Sequence, residues 1–427
     1  MASSRIPGFY KLDPATRLDA ALDAAAVPAD RWDATREAYA SGLSLAAADA
    51  MIENVVGRFA LPNGFAVNLR LNGEDRLVPM VVEEPSVVAA VSNMARVARE
   101  GGGFYAESDP SWMIGQVQVS APEPGGAARL RAALPELRAA CAGVHPELER
   151  LGGGVRDMEV RELRYDEPGY PQEELVVLHF VLDCVDAMGA NMVNTLAERL
   201  APAVCELTGG REGLRILSNL ADRRVARARV AIPVDAFGAE GAAVAEGIAA
   251  AYRFAWADPY RAATHNKGIM NGVDAVAIAT GNDWRAIEAG AHAYAARDGQ
   301  YRPLTTWRVA DGALRGTIAL PMQVGTVGGT IRVHPTVQAN IALARVRGAA
   351  DLAMLTAAVG LAQNLGALRA LATEGIQHGH MRMHARSVAM SAGAFPAELT
   401  TVVDALVATR DFTVSRARAE IEILRAR

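Results

Sequence analysis

Cysteine is scarce in this chain of 427 residues. The three present, Cys141, Cys184 and Cys205, are an odd number with no metal-holding spacing. That excludes a disulfide framework and a cysteine-based zinc site, and the thiols read as reduced and mostly buried, as in a cytoplasmic protein. Aromatic residues are only 5% of the chain, while alanine is abundant, which points to a helix-rich protein. No stretch of about 18 or more apolar residues runs without a charge, so no membrane span is expected. The opening segment, MASSRIPGFYKLDPATRLDA, lacks the continuous hydrophobic run of a signal peptide. No charge excess stands out either: 43 Lys+Arg against 48 Asp+Glu leave a net charge of -5. Neither nucleic acid nor an anionic membrane is implied as a partner. There is no internal repeat and no low-complexity tract. What remains is a 51% apolar, 21% charged chain with room for two or three domains and a sizeable core.

Residues 13 to 52 read as helices. Asp13-Pro14 supplies an N-cap and a proline at the first helical position, a second helix starts near Pro28, and Ser44 opens a third through Met51. Residues 59 to 82 read as two strands around a turn at Asn72-Gly73-Glu74-Asp75, with Asn-Gly a good hairpin signal. A helix follows from Ser86 and closes at Gly101-Gly102-Gly103. Between about 110 and 220 the order becomes β-α-β-β-α-β, the first helical segment being a helix or a helix broken by prolines at 135 and 146. That is the split βαβ, or ferredoxin-like, arrangement: four antiparallel strands with two helices on one face, inserted into a larger unit. After about 220 the chain returns to the larger unit with a strand, an alanine-rich helix, two further strands and a long helical region. The fold class is therefore α+β.

Four stretches carry candidate chemistry. The first is THNKGIMNGVDAVAIATGNDWR, 264 to 285, with Lys267, Asn266, Asn271 and Asp283. A lysine and an aspartate brought together by a buried element hold charge in a water-poor place, and glycines beside polar residues let backbone approach a ligand. The same residues also suit a Gly/Asn turn chain with a surface lysine. The second is Glu83-Glu84-Pro85-Ser86, two carboxylates at a strand-to-helix junction, where a helix N-terminus alone would favour them. The third is Asp186-Ala187-Met188-Gly189-Ala190-Asn191, at a junction where free N–H groups and a helix dipole could meet a phosphate. It is not the G-x-G-x-x-G of a Rossmann domain. The fourth is EGIQHGHMRMHAR, where His378, His380 and His384 crowd together. The i,i+4 pair has no H-E-x-x-H and no carboxylate at ligand spacing, so no metal is expected.

HNKGIMNG followed by ATGNDWRAIEAGAHAYA resembles the core of the class II, bacterial form of HMG-CoA reductase. VPMVVEEPS, DAMGANMVNT and EGIQ-x-GHM-x-x-HAR resemble further motifs of that family, in the family's order. The resemblance implies a four-electron interconversion of HMG-CoA with mevalonate and CoA, through mevaldehyde, using two NAD(P)H. It implies Glu84, Lys267, Asp283 and His380 as catalytic residues, with Glu83 in place of Glu84 if the register shifts by one. Met188, Gly189, Ala190 and Asn191 would hold the dinucleotide pyrophosphate region, with Asp186 and Asn194 supporting. Ser86, Asn219, Arg261 and Asn271 would bind substrate, Arg261 through the HMG carboxylate. An acidic residue holds the adenosine ribose in NADH-using relatives; His145 stands there, with Glu147 nearby and no Arg/Lys cluster, which leans toward NAD(H) over NADP(H).

The domains implied are a large substrate-binding part, 1–109 and 219–376, an inserted NAD-binding ferredoxin-like part, 110–218, and a C-terminal helical flap, 377–427. The segment Glu53-Asn54-Val55-Val56-Gly57 resembles one associated with the dimer interface. A homodimer or higher homo-oligomer is expected, with the active site at the interface. Two alternatives stand beside this reading: a non-catalytic acyl-CoA-binding scaffold, and a reductase for another acyl-CoA.

Overall fold

The computed structural model describes residues 3–373, 385–395 and 397–426. Helices α1 (Pro14–Ala24), α2 (Trp32–Ser41) and α3 (Leu45–Met51) open the chain. Asp13 caps α1 by accepting from the N–H groups of Ala15 and Thr16, and Ser44 caps α3 through Ala47. Strands β1 (Asn63–Leu71) and β2 (Glu74–Val81) pair with Leu71 opposite Glu74, leaving a two-residue turn. Asn72 and Gly73 take φ of 50° and 83°, the double positive φ of a type I′ hairpin. Helix α4 (Val87–Ala98) packs back on this hairpin, and β3 (Phe104–Ser108) follows. That strand is absent from the sequence-based expectation, because five residues reading FYAES offer little alternation to detect.

The chain then builds a second sheet. Its elements are β4 (Trp112–Ser120), α5 (Gly126–Ala132), α6 (Leu134–Ala140), α7 (Pro146–Arg150), β5 (Gly154–Tyr165), β6 (Glu173–Asp183), α8 (Ala190–Thr208) and β7 (Arg211–Ser218). The strands lie in the order β5-β6-β4-β7, all antiparallel, which is the ferredoxin-like topology expected. Leu130, Leu178, Phe180, Leu196 and Val204 belong to a core separate from that of the larger unit.

The larger unit resumes with β8 (Val225–Pro233), α9 (Gly241–Ala257), α10 (Pro259–Ala279), α11 (Trp284–Ala295), β9 (Thr305–Ala310), β10 (Ala313–Pro321), α12 (Gly329–Val333), α13 (Pro335–Leu343) and α14 (Ala349–Ala372). Its sheet runs β2-β1-β3-β8-β10-β9, with β1 and β3 parallel and the other pairs antiparallel. Toward the C-terminal end, α15 (Leu399–Thr409) and α16 (Val414–Arg425) share a small apolar cluster with Ala385 and Val388. All three cysteines are free, and Cys141 and Cys184 are buried.

One feature of the core corrects a sequence-based expectation. Residues 264–279, read as a possible turn chain, lie inside the 21-residue helix α10. Gly272 serves helix packing: a Cβ there would stand 2.9 Å from Cβ of Gln363 on α14. Helix α14 itself is long and apolar enough to cross a membrane, yet 83% of its apolar window is buried inside the fold. Its hydrophobicity is spent on the core.

One buried ion pair ties the hairpin to α14. Arg76 donates two hydrogen bonds to Asp351, at 3.0 and 2.8 Å, and another to the Ala344 carbonyl at 2.9 Å. Their side chains are 2% and 10% exposed. Burial alone would raise the Asp351 pKa; the hydrogen bonds and charge of Arg76 outweigh it and hold it below its ordinary value. Arg76→Ala would leave the buried carboxylate with Arg347, exposed and 3.6 Å away, as its cationic partner. We expect it to destabilise the large unit by about 3–5 kcal/mol, measured by chemical denaturation; a loss within about 0.5 kcal/mol, the surface-substitution range, would contradict the pairing.

Candidate active site

Helix α10 positions the lysine. It starts at Asp258, whose carboxylate accepts from the Arg261 N–H, with Pro259 at the first helical position. Lys267 emerges a little over two turns later on the exposed side. Its Nζ lies 2.8 Å from Glu84 Oε2, and Asn271, one turn on, donates to the same oxygen at 3.3 Å. Glu84 stands between β2 and α4, half-buried, while Glu83 is exposed. The carboxylate that meets Lys267 is therefore Glu84. Ser86, two residues on, holds φ of 75° in a region costly for a residue with a side chain. Lys11 is the only other lysine in the chain, so nearly every cation is arginine and this one is not.

Arg261 lies on α10 ahead of Lys267. Its guanidinium is half-buried, burial pushes its pKa down, and it has no ion pair among the described residues. A desolvated, uncompensated guanidinium is ready for an anion. His265, one turn along, is buried against Thr305 at 2.6 Å, and burial, then the Arg261 charge, push its pKa down to about 3. It is a neutral core histidine.

Asp283 does not meet Lys267 within one chain. Its carboxylate caps α11 by accepting from the Ala286 N–H at 3.1 Å and stands 3.5 Å from Arg285. Lys267 and the end of α10 at Ala279 are separated by twelve residues of helix, roughly 18 Å of axial rise, and Asp283 lies further on.

The dinucleotide-type loop belongs to this far end. Val185, a β-branched residue, holds φ of 53° just before it. Gly189, φ 105°, precedes α8, and a Cβ there would stand 2.3 Å from Cys184 Sγ. No side chain caps the first turn of α8, so its N–H groups and dipole point outward, suited to a phosphate. Asn191 is exposed on that turn. Asp186 works as scaffold: its carboxylate accepts from the Ala349 N–H at 2.8 Å, and its carbonyl accepts from Thr326 at 2.9 Å. Asn194 braces α8 against β7 by accepting from the Leu217 N–H at 3.0 Å. Asn282, next to Asp283, clamps Gly325 in both directions, at 2.7 and 3.2 Å, and Gly325 packs against Met188. Asn219 is exposed where the chain leaves β7, its carbonyl accepting from Gln323 at 3.1 Å.

Arg224 has no counterpart in the sequence-based site. It is 2% exposed and donates to the carbonyls of Ala187, Met188 and Val324, which pins the loop from below. Burial pushes its pKa down to about 10, against the smaller opposing effects of Cys184, Asp183 and Asp186. Among Arg223, Arg224, Arg227 and Arg229, nothing in the sequence marks this one. Beside α8, a cavity of about 210 Å³ is lined by Arg138, Cys141, His145 and Glu149. His145 Nε2 is 2.9 Å from the Met192 carbonyl, and Glu149, not Glu147, lines the cavity. His380, with His378 and His384, lies outside the described residues.

A family profile described as hydroxymethylglutaryl-coenzyme A reductase matches residues 25–385. A 3-hydroxy-3-methylglutaryl-coenzyme A reductase from Archaeoglobus fulgidus is 48% identical, covering 99% of this chain and 95% of its own. The structure is similar to that of the reductase from Streptococcus pneumoniae, with TM-score 0.81 and 40% identity over 98% of this chain and 99% of that one. A second structure of the class II S. pneumoniae enzyme, bound to NADPH in open conformations, matches with TM-score 0.79 over 97% and 100% of the two chains. The chain therefore belongs to the hydroxymethylglutaryl-coenzyme A reductase family, in its class II branch.

Proposed function

We propose that this chain interconverts HMG-CoA with mevalonate and CoA at a site completed across a homodimer, with Glu84, Lys267 and Asn271 from one subunit facing Asp283 and the 186–194 loop of the other. The observation that carries this reading is the separation along α10. One chain brings Lys267 to Glu84 at 2.8 Å but leaves Asp283 with the dinucleotide-type loop beyond the other end of the helix. Exposed Ile52, Val56 and Phe59, beside the segment expected at an interface, give a second copy apolar surface to cover.

Two equivalents of reduced nicotinamide dinucleotide, bound in turn, would each supply one hydride. Met188, Gly189, Ala190 and Asn191 would hold its pyrophosphate at the uncapped start of α8, above the Arg224 anchor. NAD(H) is the preferred form in this reading, with Glu149 and His145 beside the adenosine ribose. Residues 110–218 act as the cofactor unit and 377–427 as the flap. The setting is cytoplasmic.

The chain's own residues then have distinct work. Reduction of a thioester carbonyl builds negative charge on its oxygen, and the Lys267 ammonium stabilises that charge. Glu84, hydrogen-bonded to Lys267, supplies a proton to the carbonyl oxygen in the mevaldehyde step. Asp283 of the partner subunit holds the ammonium in register. Arg261 pairs with the HMG carboxylate, and Ser86, Asn219 and Asn271 hydrogen-bond the substrate. CoA leaves as a thiolate that His380 protonates.

Lys267→Ala is expected to lower kcat by at least about a thousandfold while leaving circular dichroism and the denaturation midpoint unchanged; near-normal turnover would sink the assignment. His380→Gln is expected to slow thioester reduction more than mevaldehyde reduction, compared in separate assays; equal losses would remove the thiolate role. Absorbance at 340 nm with HMG-CoA, and NADH or NADPH in parallel, should record two equivalents of NADH oxidised per CoA released. Turnover with NADPH alone would overturn the cofactor preference.

A further inference from the structure

A second group of polar side chains, unused by the reaction above, closes a ring around the turn of α10 that carries Lys267. Asp274 lies seven residues after Lys267, two turns along the same face. Its carboxyl hydrogen-bonds Glu288 on α11. Glu288 Oε2 is 2.6 Å from His292 Nε2. His292 Nδ1 is 2.7 Å from Tyr301 Oη, the two rings stacked with centroids 5.9 Å apart. Tyr301 is followed in the chain by Arg302. Asn266, buried and adjacent to Lys267, donates to the Arg302 carbonyl and accepts from the Leu304 N–H, both at 2.9 Å. The path leaves α10 at Asp274 and returns at Asn266.

The hydrogens of this ring are mutually determined. The Tyr301 O–H goes to His292 Nδ1 when the imidazole is neutral. His292 Nε2–H then points at Glu288. Glu288 is the ionised acceptor, and Asp274 must bring a proton to it. Asp274 Oδ1 is buried without a hydrogen-bond partner, as suits a neutral acid. Burial raises the Asp274 pKa to about 9, with Glu288 adding to it. For Glu288, burial acts upward but the hydrogen bonds from His292 and Asp274 win and lower its pKa.

We propose that Asp274, Glu288, His292 and Tyr301 are positioning residues that set the rotation of α10 about its axis and so hold the Lys267 ammonium on Glu84. The proposal rests on the reading of Lys267 as the oxyanion-stabilising group. The Lys267 side chain is 61% exposed, so packing on the side chain itself does little to fix it. A rotation of α10 by about 10° moves an atom about 6 Å from the axis by about 1 Å, and a 1 Å error at a reacting centre costs about a hundredfold in rate. Directional bonds at both ends of two helical turns resist that rotation; apolar contacts of the same area would not specify the angle.

The scarcity of lysine provides the test. Reductive methylation with ¹³C-formaldehyde labels only Lys11, Lys267 and the N-terminal amine, and the dimethylated lysines stay cationic. Their NMR signals titrate separately, with Lys11 as an internal reference. In Glu288→Gln and in Tyr301→Phe, which breaks the ring at its other end while keeping the stacked ring, the Lys267 titration is expected to move and the Lys11 titration to stay. In unlabelled protein, kcat should fall about tenfold with KM unchanged. Asp274→Asn, which keeps a donor toward Glu288, should remain near wild type in both readouts. Lys267 titrating as in wild type in both folded variants would overturn the ring. Full activity in Lys267→Ala would instead sink the catalytic reading beneath it, and the two failures are read from different samples.

Discussion

The rigidity of one helix governs this structure. Helix α10 is 21 residues of continuous backbone hydrogen bonding, wedged against α14 where Gly272 admits Gln363. It fixes Lys267 beside Glu84 and fixes Asp283 past its far end. No side-chain rearrangement shortens a helix whose rise is about 1.5 Å per residue. The cofactor-type loop is anchored at the same far end, through Asn282 to Gly325 and through Arg224 to Ala187 and Met188. In the reading proposed here, two copies solve the problem one copy cannot, each lending its loop and Asp283 to the other's lysine.

In the reading proposed here, the choice of lysine follows from the chemistry. The chain uses arginine at almost every other basic position, including the buried anchors Arg76 and Arg224, where a planar fork satisfies several acceptors at once. A compact ammonium suits a small developing oxyanion shared with one carboxylate. The mobility of a flexible lysine stem is the cost, which the ring through Asp274 and Tyr301 offsets by steadying the helix beneath it.

Much of this was legible before any coordinates. The Asn72-Gly73 hairpin, the Asp13 and Ser44 caps and the ferredoxin-like order all rest on local signals, and all appear as read. Strand β3 did not show itself, because a five-residue central strand is defined by its neighbours β1 and β8 rather than by its own pattern. Gly272 of the NKGIMNG stretch read as a ligand-approach glycine and is a helix-packing position, a distinction that depends on the distant residue Gln363. Glu84 and Lys267, 183 residues apart, were joined by resemblance, and the structure brings them together. Arg224 was invisible because four arginines stand in a short run and only tertiary contacts single one out. Asp274 was readable as a lone carboxylate in an apolar run, but its partners lie on another helix.

The claim that one site draws on two chains is tested most directly by complementation. Lys267→Ala and Asp283→Ala, each inactive alone, are co-expressed or unfolded and refolded together at equal amounts. Half of the resulting dimers pair unlike subunits, and each of these holds one site free of both substitutions. The account predicts recovery of about a quarter of wild-type activity, absent when the two variants are assembled separately and then mixed without exchange. No recovery from a mixture shown to contain heterodimers would place both residues in a single chain's site and contradict the account.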